Sequence, residues 1–302
     1  MTANTSGGEE SGPRILKGGE SLGQPPSDHA AAPDGAAALA SAGPVAERLK
    51  VFTDAHVRKI GRKLGEVRTA PWPRIEGCLA VLFVSRAGST FLARELECAF
   101  EIGRLRESLN PPLIRNRAAA QVVESRQDPW FSFKAGGNGV IAAELCGFFD
   151  AYLRETSFIL LMRRDIVAQA VSRVKAKQTE QWHSTQLSKR VAVYNGAKIA
   201  QGVKLIADGV ERLRLYAEQS GRPWRSLVYE DFEHGDFTLA MAACDALGVP
   251  RRSADSAIRA SPVERIGDAI NEAWAERFRQ EAKPAMLDRV ERYVAQVNEM
   301  AL

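Results

Sequence analysis

The chain has 302 residues, which is enough for one sizeable domain or two small ones. Its 41 basic and 37 acidic residues give a formal net charge of +4. This mild excess is no evidence for a nucleic-acid partner, because it suits a small anionic ligand about as well. The four cysteines are scattered, with no CxxC pair and no histidine at metal-ligand spacing, which predicts reduced thiols and no metal site.

The N-terminal part of the chain predicts an extension rather than a globular domain. Residues 1–44 are rich in Gly, Ala, Ser, Pro and Glu without apolar periodicity, which predicts disorder. Over residues 45–67 apolar positions recur every three or four residues, which indicates an amphipathic helix with a solvated basic face. We therefore expect an extension over residues 1–70 and one domain over residues 71–302.

The sequence also predicts where the protein resides. The first residues lack the charged and apolar regions of a secretory signal, and no apolar run approaches the roughly 20 residues that a membrane span needs. We expect a soluble, cytoplasmic protein.

Short apolar segments that alternate with helix-favouring segments follow residue 73. The strand candidates are CLAVLFVS (78–85), GVIAA (139–143), FILLM (158–162) and SLVYEDF (226–232). Helices are expected over 89–100, from 144 to about 154, after the N-cap residue Asp165, over 187–219, and onward to the end. This alternation predicts an α/β fold with a mainly parallel central sheet flanked by helices.

The first candidate site is the turn after the first predicted strand, Ser85 to Thr90. A helix N-terminus offers backbone N–H groups and partial positive charge, and Gly88 lets the backbone approach an anion closely. Arg86 adds a charged fork of donors, and Ser89 and Thr90 add hydroxyls. The turn therefore predicts a phosphate-type cradle. It lacks the GxxxxGKS/T pattern and lysine of a Walker A loop, which favours an anion handled without a metal.

A second anion site is predicted after FILLM. Arg164 lies at the end of that strand, and Ser172 lies on the early turns of the next helix, on the same face as Asp165. Because ligands of parallel sheets bind at the carboxyl ends of the strands, the two sites should be neighbours. Together they indicate a ligand with two separated anionic groups.

These segments resemble a known family. SRAGSTFLAREL (85–96) resembles the 5′-phosphosulfate loop of sulfotransferases that use 3′-phosphoadenosine 5′-phosphosulfate (PAPS). RRDIVAQAVSRVKAKQTEQW (163–182) resembles their 3′-phosphate segment, most closely in the trehalose 2-sulfotransferase-like branch. VYEDF (228–232) is similar to a later Tyr-Glu strand, and ERIGDAINEAWAERF (264–278) to the closing helix. The resemblance covers residues 75–280 and implies a P-loop-like three-layer fold.

The resemblance also implies a reaction and roles for residues. A sulfuryl group would pass in line from PAPS to a hydroxyl of a carbohydrate or glycolipid, without a metal. The 5′-phosphosulfate would be held by Arg86, Gly88, Ser89 and Thr90, the 3′-phosphate by Arg164 and Ser172, and the adenosine by Tyr229. Arg86 would also stabilise charge on the departing oxygen.

The acceptor side is implied by a loop after the first helix. Glu107 takes the position of the family's catalytic base in Gly103-Arg104-Leu105-Arg106-Glu107, and Ser85 and Arg104 would contact the acceptor. Several positions depart from the family pattern: Ser85, Ala87, Leu105, Ser108, and Ile141, which stands where a strand lysine is expected.

Two other functions stay open at this point. One is an ATP-using phosphotransferase on a related P-loop fold, which magnesium dependence would support. The other is a degenerate sulfotransferase scaffold that binds a nucleotide or a partner without catalysis. No nucleic-acid partner is expected, and a homodimer stays open.

Overall fold

A computed structural model describes residues 43–182, 188, 190–253 and 269–301 of the chain. Nearly all of the predicted disordered tail, residues 1–44, lies outside the described residues, as does the first part of the predicted closing segment at 264–278. The described residues all belong to one unit, Pro33–Leu302.

The described residues form a sheet of four parallel strands. The strands are Gly77–Phe83 (β1), Trp130–Ala135 (β2), Thr156–Met162 (β3) and Trp224–Val228 (β4). They lie side by side in the order β2-β1-β3-β4, and each neighbouring pair is parallel. All carboxyl ends therefore share one edge of the sheet. The predicted α/β class with a mainly parallel sheet is confirmed.

Helices cover both faces of this sheet. In chain order they are Gly43–Leu49 (α1), Asp54–Leu64 (α2), Ser89–Ala99 (α3), Pro111–Ile114 (α4), Ala119–Glu124 (α5), Gly137–Leu145 (α6), Phe148–Tyr152 (α7), Ile166–Thr179 (α8), Gly196–Gln219 (α9), Thr238–Ala246 (α10), Ala269–Glu281 (α11) and Pro284–Met300 (α12). Side chains of β1 alternate between two cores. Buried residues of α3 and α10 pack on the face that carries Leu79 and Val81, and the other helices pack on the opposite face.

The helix predicted over residues 45–67 is present as two helices, α1 and α2. The helix is interrupted between them because Thr53 caps the N-terminus of α2. The Thr53 side chain accepts a hydrogen bond from the His56 backbone N–H. Apolar side chains of both helices, Leu49 and Ile60 among them, are buried in the main core. The packed core therefore begins before residue 71.

The strand predicted at GVIAA (139–143) is wrong, because these residues lie in α6. All residues from Gly139 to Leu145 are buried, so this helix has no polar face to reveal its period. A short apolar run of this kind cannot be assigned to strand or helix from its pattern. The strand is WFSFKA (130–135), in which Ser132 and Lys134 interrupt the apolar run. This strand carries a lysine, Lys134, whereas the segment with Ile141 is a helix.

The remaining predicted elements need smaller corrections. The strand at 158–162 is β3, and Asp165 caps α8 by accepting a hydrogen bond from the Ala168 N–H at 2.9 Å. The strand predicted over 226–232 ends at Val228, and Tyr229–Asp231 forms a 3₁₀ turn. The long helix predicted from 187 begins at Gly196, where the Asn195 side chain caps it.

Candidate active site

A cleft of about 2020 Å³ lies at the carboxyl ends of the strands. Each strand contributes the residues that follow it: Ser85 and Arg86 after β1, Gly136 after β2, Arg163 after β3, and Tyr229 after β4. Strand β1 is flanked by β2 and β3, which makes this edge a topological switch point, where open α/β sheets bind ligands. The volume exceeds the roughly 300–1,000 Å³ of a typical pocket for one small ligand.

The turn after β1 presents an open helix N-terminus to the cleft. Gly88 caps α3 in the left-handed region at φ 84°, and among the described residues no side chain caps this end. The Tyr229 ring lies against the turn, so a Cβ on Gly88 would be 2.2 Å from Tyr229 Cδ2. Gln169 fixes the start of the turn, since its amide donates to the carbonyls of Val84 and Ser85 at 3.1 Å each. The first N–H groups of α3 are thus oriented for an anion.

Arg86 is held in the turn in a conformation that few non-glycine residues adopt, with φ 73°. Its Nε donates to Ser172 Oγ at 2.9 Å, and its Nη1 donates to the Trp182 carbonyl at 2.8 Å. Burial, and then the nearby charge of Arg163, lower the pKa of Arg86. Among the described residues no carboxylate pairs with Arg86. A half-buried cation next to a second cation favours binding of an anion.

The two arginines that follow β3, Arg163 and Arg164, contact different groups. The Arg163 guanidinium lies over the Tyr229 ring, 5.0 Å from its centroid, and lines the cleft. Arg164 is not among the residues that line the cleft. Its Nη1 donates to Asp231 Oδ1 at 2.6 Å, and its Nε donates to Asn298 Oδ1 at 3.0 Å. Arg163 therefore lines the same cleft as Arg86 and Ser172, and the predicted Arg164 does not.

Lys134 was not predicted as a site residue, because the strand that carries it was assigned elsewhere. Its Nζ donates to Thr90 Oγ1 at 3.0 Å, and the side chain is buried. Burial lowers the pKa of Lys134, and the negative charges of Glu107 and then Glu97 partly oppose this effect. Lys134 therefore adds a cation behind the hydroxyl of Thr90, between the turn after β1 and the loop that holds Glu107. The interrupted pattern of WFSFKA was the signal that could have revealed it.

The loop at 103–107 runs along the outer edge of β2. The Lys134 backbone N–H donates to the Arg106 carbonyl at 2.9 Å, and Leu105 is buried in the core beside α3. Glu107 lines the cleft, where its Oε2 accepts a hydrogen bond from Asn110 Nδ2 at 2.6 Å. Arg104 is exposed and does not line the cleft, so the structure does not bring it to the other predicted residues.

Most predicted site residues thus converge on one cleft. Those that line it are Ser85, Arg86, Gly88, Ser89, Thr90, Glu107, Ser172 and Tyr229. In the described ranges no cluster of three or more His, Cys, Asp or Glu side chains is arranged to hold a metal ion. None of the described helices combines the length and apolar composition needed to cross a membrane. The described geometry is a cleft at the carboxyl edge of a parallel sheet, lined by Arg86, Arg163 and Glu107 and by the open N-terminus of α3.

Comparison with known proteins confirms the resemblance to sulfotransferases. The model of the Stf0 sulphotransferase family matches residues 143–281. A curated relative, the trehalose 2-sulfotransferase of Mycobacterium tuberculosis, is 27% identical over 148 residues. That alignment covers 48% of this chain and 52% of the relative, so the chain spans about half the length of the relative it matches.

Two solved structures are also similar to the chain. The sulfotransferase from Alicyclobacillus acidocaldarius has a TM-score of 0.44 at 14% identity, over 75% of this chain and 96% of its own. The sulfotransferase domain from the Synechococcus PCC 7002 olefin synthase has a TM-score of 0.41 at 13% identity, over 77% and 98% of the two chains.

Proposed function

We propose that the protein is a sulfotransferase that moves a sulfuryl group from PAPS to a hydroxyl of a carbohydrate. The family match and the name of the curated relative support this reading. The observation that carries it is the position of Arg86, which is half-buried between the open N-terminus of α3 and Ser172, without a carboxylate partner among the described residues. An arginine side chain in this environment is suited to bind an anionic group of a substrate.

The residues in the cleft fit the donor. Gly88 leaves room for the Tyr229 ring, and the open end of α3 suits a phosphosulfate together with Arg86, Ser89 and Thr90. Arg163 and Ser172 are placed to take a second phosphate, and the Tyr229 ring is a surface for the adenosine. When bound, PAPS supplies the sulfuryl group and leaves as 3′,5′-ADP.

The protein's part in this transfer is positioning and charge stabilisation, as in phosphoryl transfer. Arg86 and the N–H groups of α3 stabilise the charge that develops on the leaving phosphate, at about 3–4 kcal/mol for a well-placed donor in comparable oxyanion sites. Lys134 holds the Thr90 hydroxyl in place. Glu107 accepts the proton of the acceptor hydroxyl, a contribution of typically about 10²–10⁴-fold.

The proposal is tested by incubating the protein with PAPS and trehalose in the presence of a metal chelator. Release of 3′,5′-ADP together with sulfated sugar is the expected result. Phosphorylation of the sugar by ATP and magnesium, with release of ADP and without turnover of PAPS, would support the phosphotransferase reading. Binding of PAPS without sulfation of trehalose, glucose or a glycolipid derived from them would support the non-catalytic scaffold.

A further inference from the structure

One half of the cleft is built by residues that precede the family match at 143–281. Strand β2 lies on the opposite side of β1 from β3 and β4, so the residues after β2 are separated from Arg163 and Tyr229 by the turn after β1. The part of this half that lies beyond the turn after β1, called here the β2 side, is lined by Phe52, His56, Glu107, Asn110, Pro111 and Asn138. Lys63, on the same helix as His56, also lines the cleft. Phe52 and His56 come from the N-terminal helical segment and not from the sheet domain that the sequence predicted.

A hydrogen bond joins the N-terminal segment to the start of α6 on the β2 side. His56 Nε2 lies 2.7 Å from Asn138 Oδ1, on the first turn of α6. The Phe52 ring meets the imidazole edge-on at 6.0 Å, and a Cβ on Gly137 would be 3.2 Å from the Phe52 ring. The close approach of Gly137 to Phe52 therefore sets where His56 and Asn138 meet.

Buried hydrogen bonds also join the N-terminal segment to the core of the domain. Arg48 of α1 donates two hydrogen bonds to the fully buried carboxylate of Glu144, at 2.6 and 2.7 Å. The Tyr216 hydroxyl donates to the same carboxylate at 2.6 Å. This buried network joins α1 to α6 and α9, and it holds the N-terminal segment in one place against the cleft.

The chemistry of the β2 side suits a neutral polyhydroxylated ring. With Asn138 Oδ1 accepting from His56 Nε2, the described residues leave Asn138 Nδ2 and His56 Nδ1 without a hydrogen-bond partner. The pair therefore offers the two N–H donors of the amide and one acceptor nitrogen to the cleft. Glu107 and Asn110 present a second polar pair, and Pro111 and Phe52 present apolar surface. A carboxylate in this position disfavours an anion and accepts hydroxyl protons.

We propose that His56 and Asn138 form a sugar subsite, in which they hydrogen-bond hydroxyl groups of the acceptor ring beside Glu107. This inference rests on the proposed function, because it assigns the β2 side to the acceptor and the remainder of the cleft to the donor. The N-terminal helices then contribute directly to acceptor specificity.

The test measures trehalose binding by saturation-transfer NMR, on the full chain, with and without 3′,5′-ADP. We expect His56→Ala and Asn138→Ala each to weaken trehalose binding by about 3- to 10-fold, the effect of one net hydrogen bond. Lys59→Ala is the matched control, because Lys59 lies on α2 but is exposed and outside the cleft. Thermal melting of each variant confirms that it is folded.

The outcomes separate the subsite from the proposed function. Absence of trehalose binding in the unaltered protein, or equal binding in all folded variants, would overturn the subsite. Loss of trehalose binding in the two variants, in a protein that does not bind 3′,5′-ADP, would keep the subsite and overturn the sulfotransferase proposal. Unchanged 3′,5′-ADP affinity in both variants, with weaker sugar binding, is the result that supports both.

Discussion

Arg163 and Arg164, which follow β3, differ by one position in the sequence, but only Arg163 lines the cleft. Successive side chains near a strand end point in different directions, so the sequence Arg163-Arg164-Asp165 does not reveal which arginine faces the cleft. The resemblance to the family assigned the 3′-phosphate to Arg164. In the structure Arg164 is engaged by Asp231 and Asn298 outside the cleft. Arg163 lines the cleft, where its guanidinium lies over the Tyr229 ring and its Nε is 3.5 Å from Glu230 Oε1.

This difference gives the first prediction. Arg163→Ala should weaken binding of 3′,5′-ADP by roughly 10- to 100-fold, because it removes a charged hydrogen-bond partner of the 3′-phosphate, and should change binding of 5′-ADP little. Arg164→Ala, the matched control, should lower the melting temperature and leave both affinities nearly unchanged. Calorimetric titration measures the affinities, and the opposite order of effects would return the 3′-phosphate to Arg164.

The second prediction concerns Glu107. Glu107→Gln keeps the size of the side chain and removes the base, so turnover of PAPS with trehalose should fall by about 10²–10⁴-fold while 3′,5′-ADP affinity is retained. Glu124→Gln serves as the control, because Glu124 is exposed on α5 and lies outside the cleft. Near-normal turnover of Glu107→Gln in a steady-state assay would end the assignment of Glu107 as base.

A helix or strand could be predicted from the sequence where residues such as a glycine or a capping side chain mark its ends. The turn Ser85–Thr90 and helix α8 were predictable because an apolar strand, a glycine or a capping residue marks each boundary. Helix α6 was not, since a helix buried on all sides has the composition of a buried strand. That one error concealed β2, and with it Lys134 and the start of α6 at the cleft.

The turn after β1 carries the third prediction. Gly88→Ala should abolish measurable 3′,5′-ADP binding, because the new Cβ would displace the Tyr229 ring in addition to the strain of a left-handed residue, roughly 1–2 kcal/mol. Gly221→Ala is the control for strain alone, since Gly221 has φ 64° and no atom within 4 Å of an added Cβ. Both variants should be destabilised in chemical denaturation. Equal loss of nucleotide binding in both would contradict a specific role for Gly88.

For the molecule as a whole, the sequence predicted three of the four strands described here and the edge that carries the cleft, but not the contribution of the N-terminal helices. Amphipathic periodicity indicated that α2 packs on the domain. The sequence did not indicate which part of the domain it contacts. The deciding contact joins Arg48 to Glu144, which are 96 residues apart. Hydrogen bonding to Glu144 raises the pKa of Arg48 further, and burial raises the pKa of Tyr216.

The fourth prediction tests this buried network. Glu144→Gln should lower the free energy of unfolding by about 3–5 kcal/mol, because it removes the carboxylate that pairs with the buried Arg48 charge and leaves the half-exposed Asp150, at 3.5 Å, as the nearby anion. Asp245→Asn, which breaks the exposed pair with Arg251, should cost no more than about 1 kcal/mol. Urea denaturation measures both. Similar small losses in the two variants would show that Arg48 and Glu144 do not anchor the N-terminal helices.

The central claim is that the cleft binds a nucleotide with phosphates at both the 5′ and the 3′ positions. It is tested most directly by calorimetric titration of the protein with 3′,5′-ADP, with 5′-ADP and magnesium-free ATP as controls. We predict that 3′,5′-ADP binds more tightly by about 1.5–3 kcal/mol, or roughly 10- to 100-fold, which is the value of a charged hydrogen-bonded phosphate. Equal affinity for all three nucleotides, or binding of none, would contradict the assignment of the cleft to PAPS.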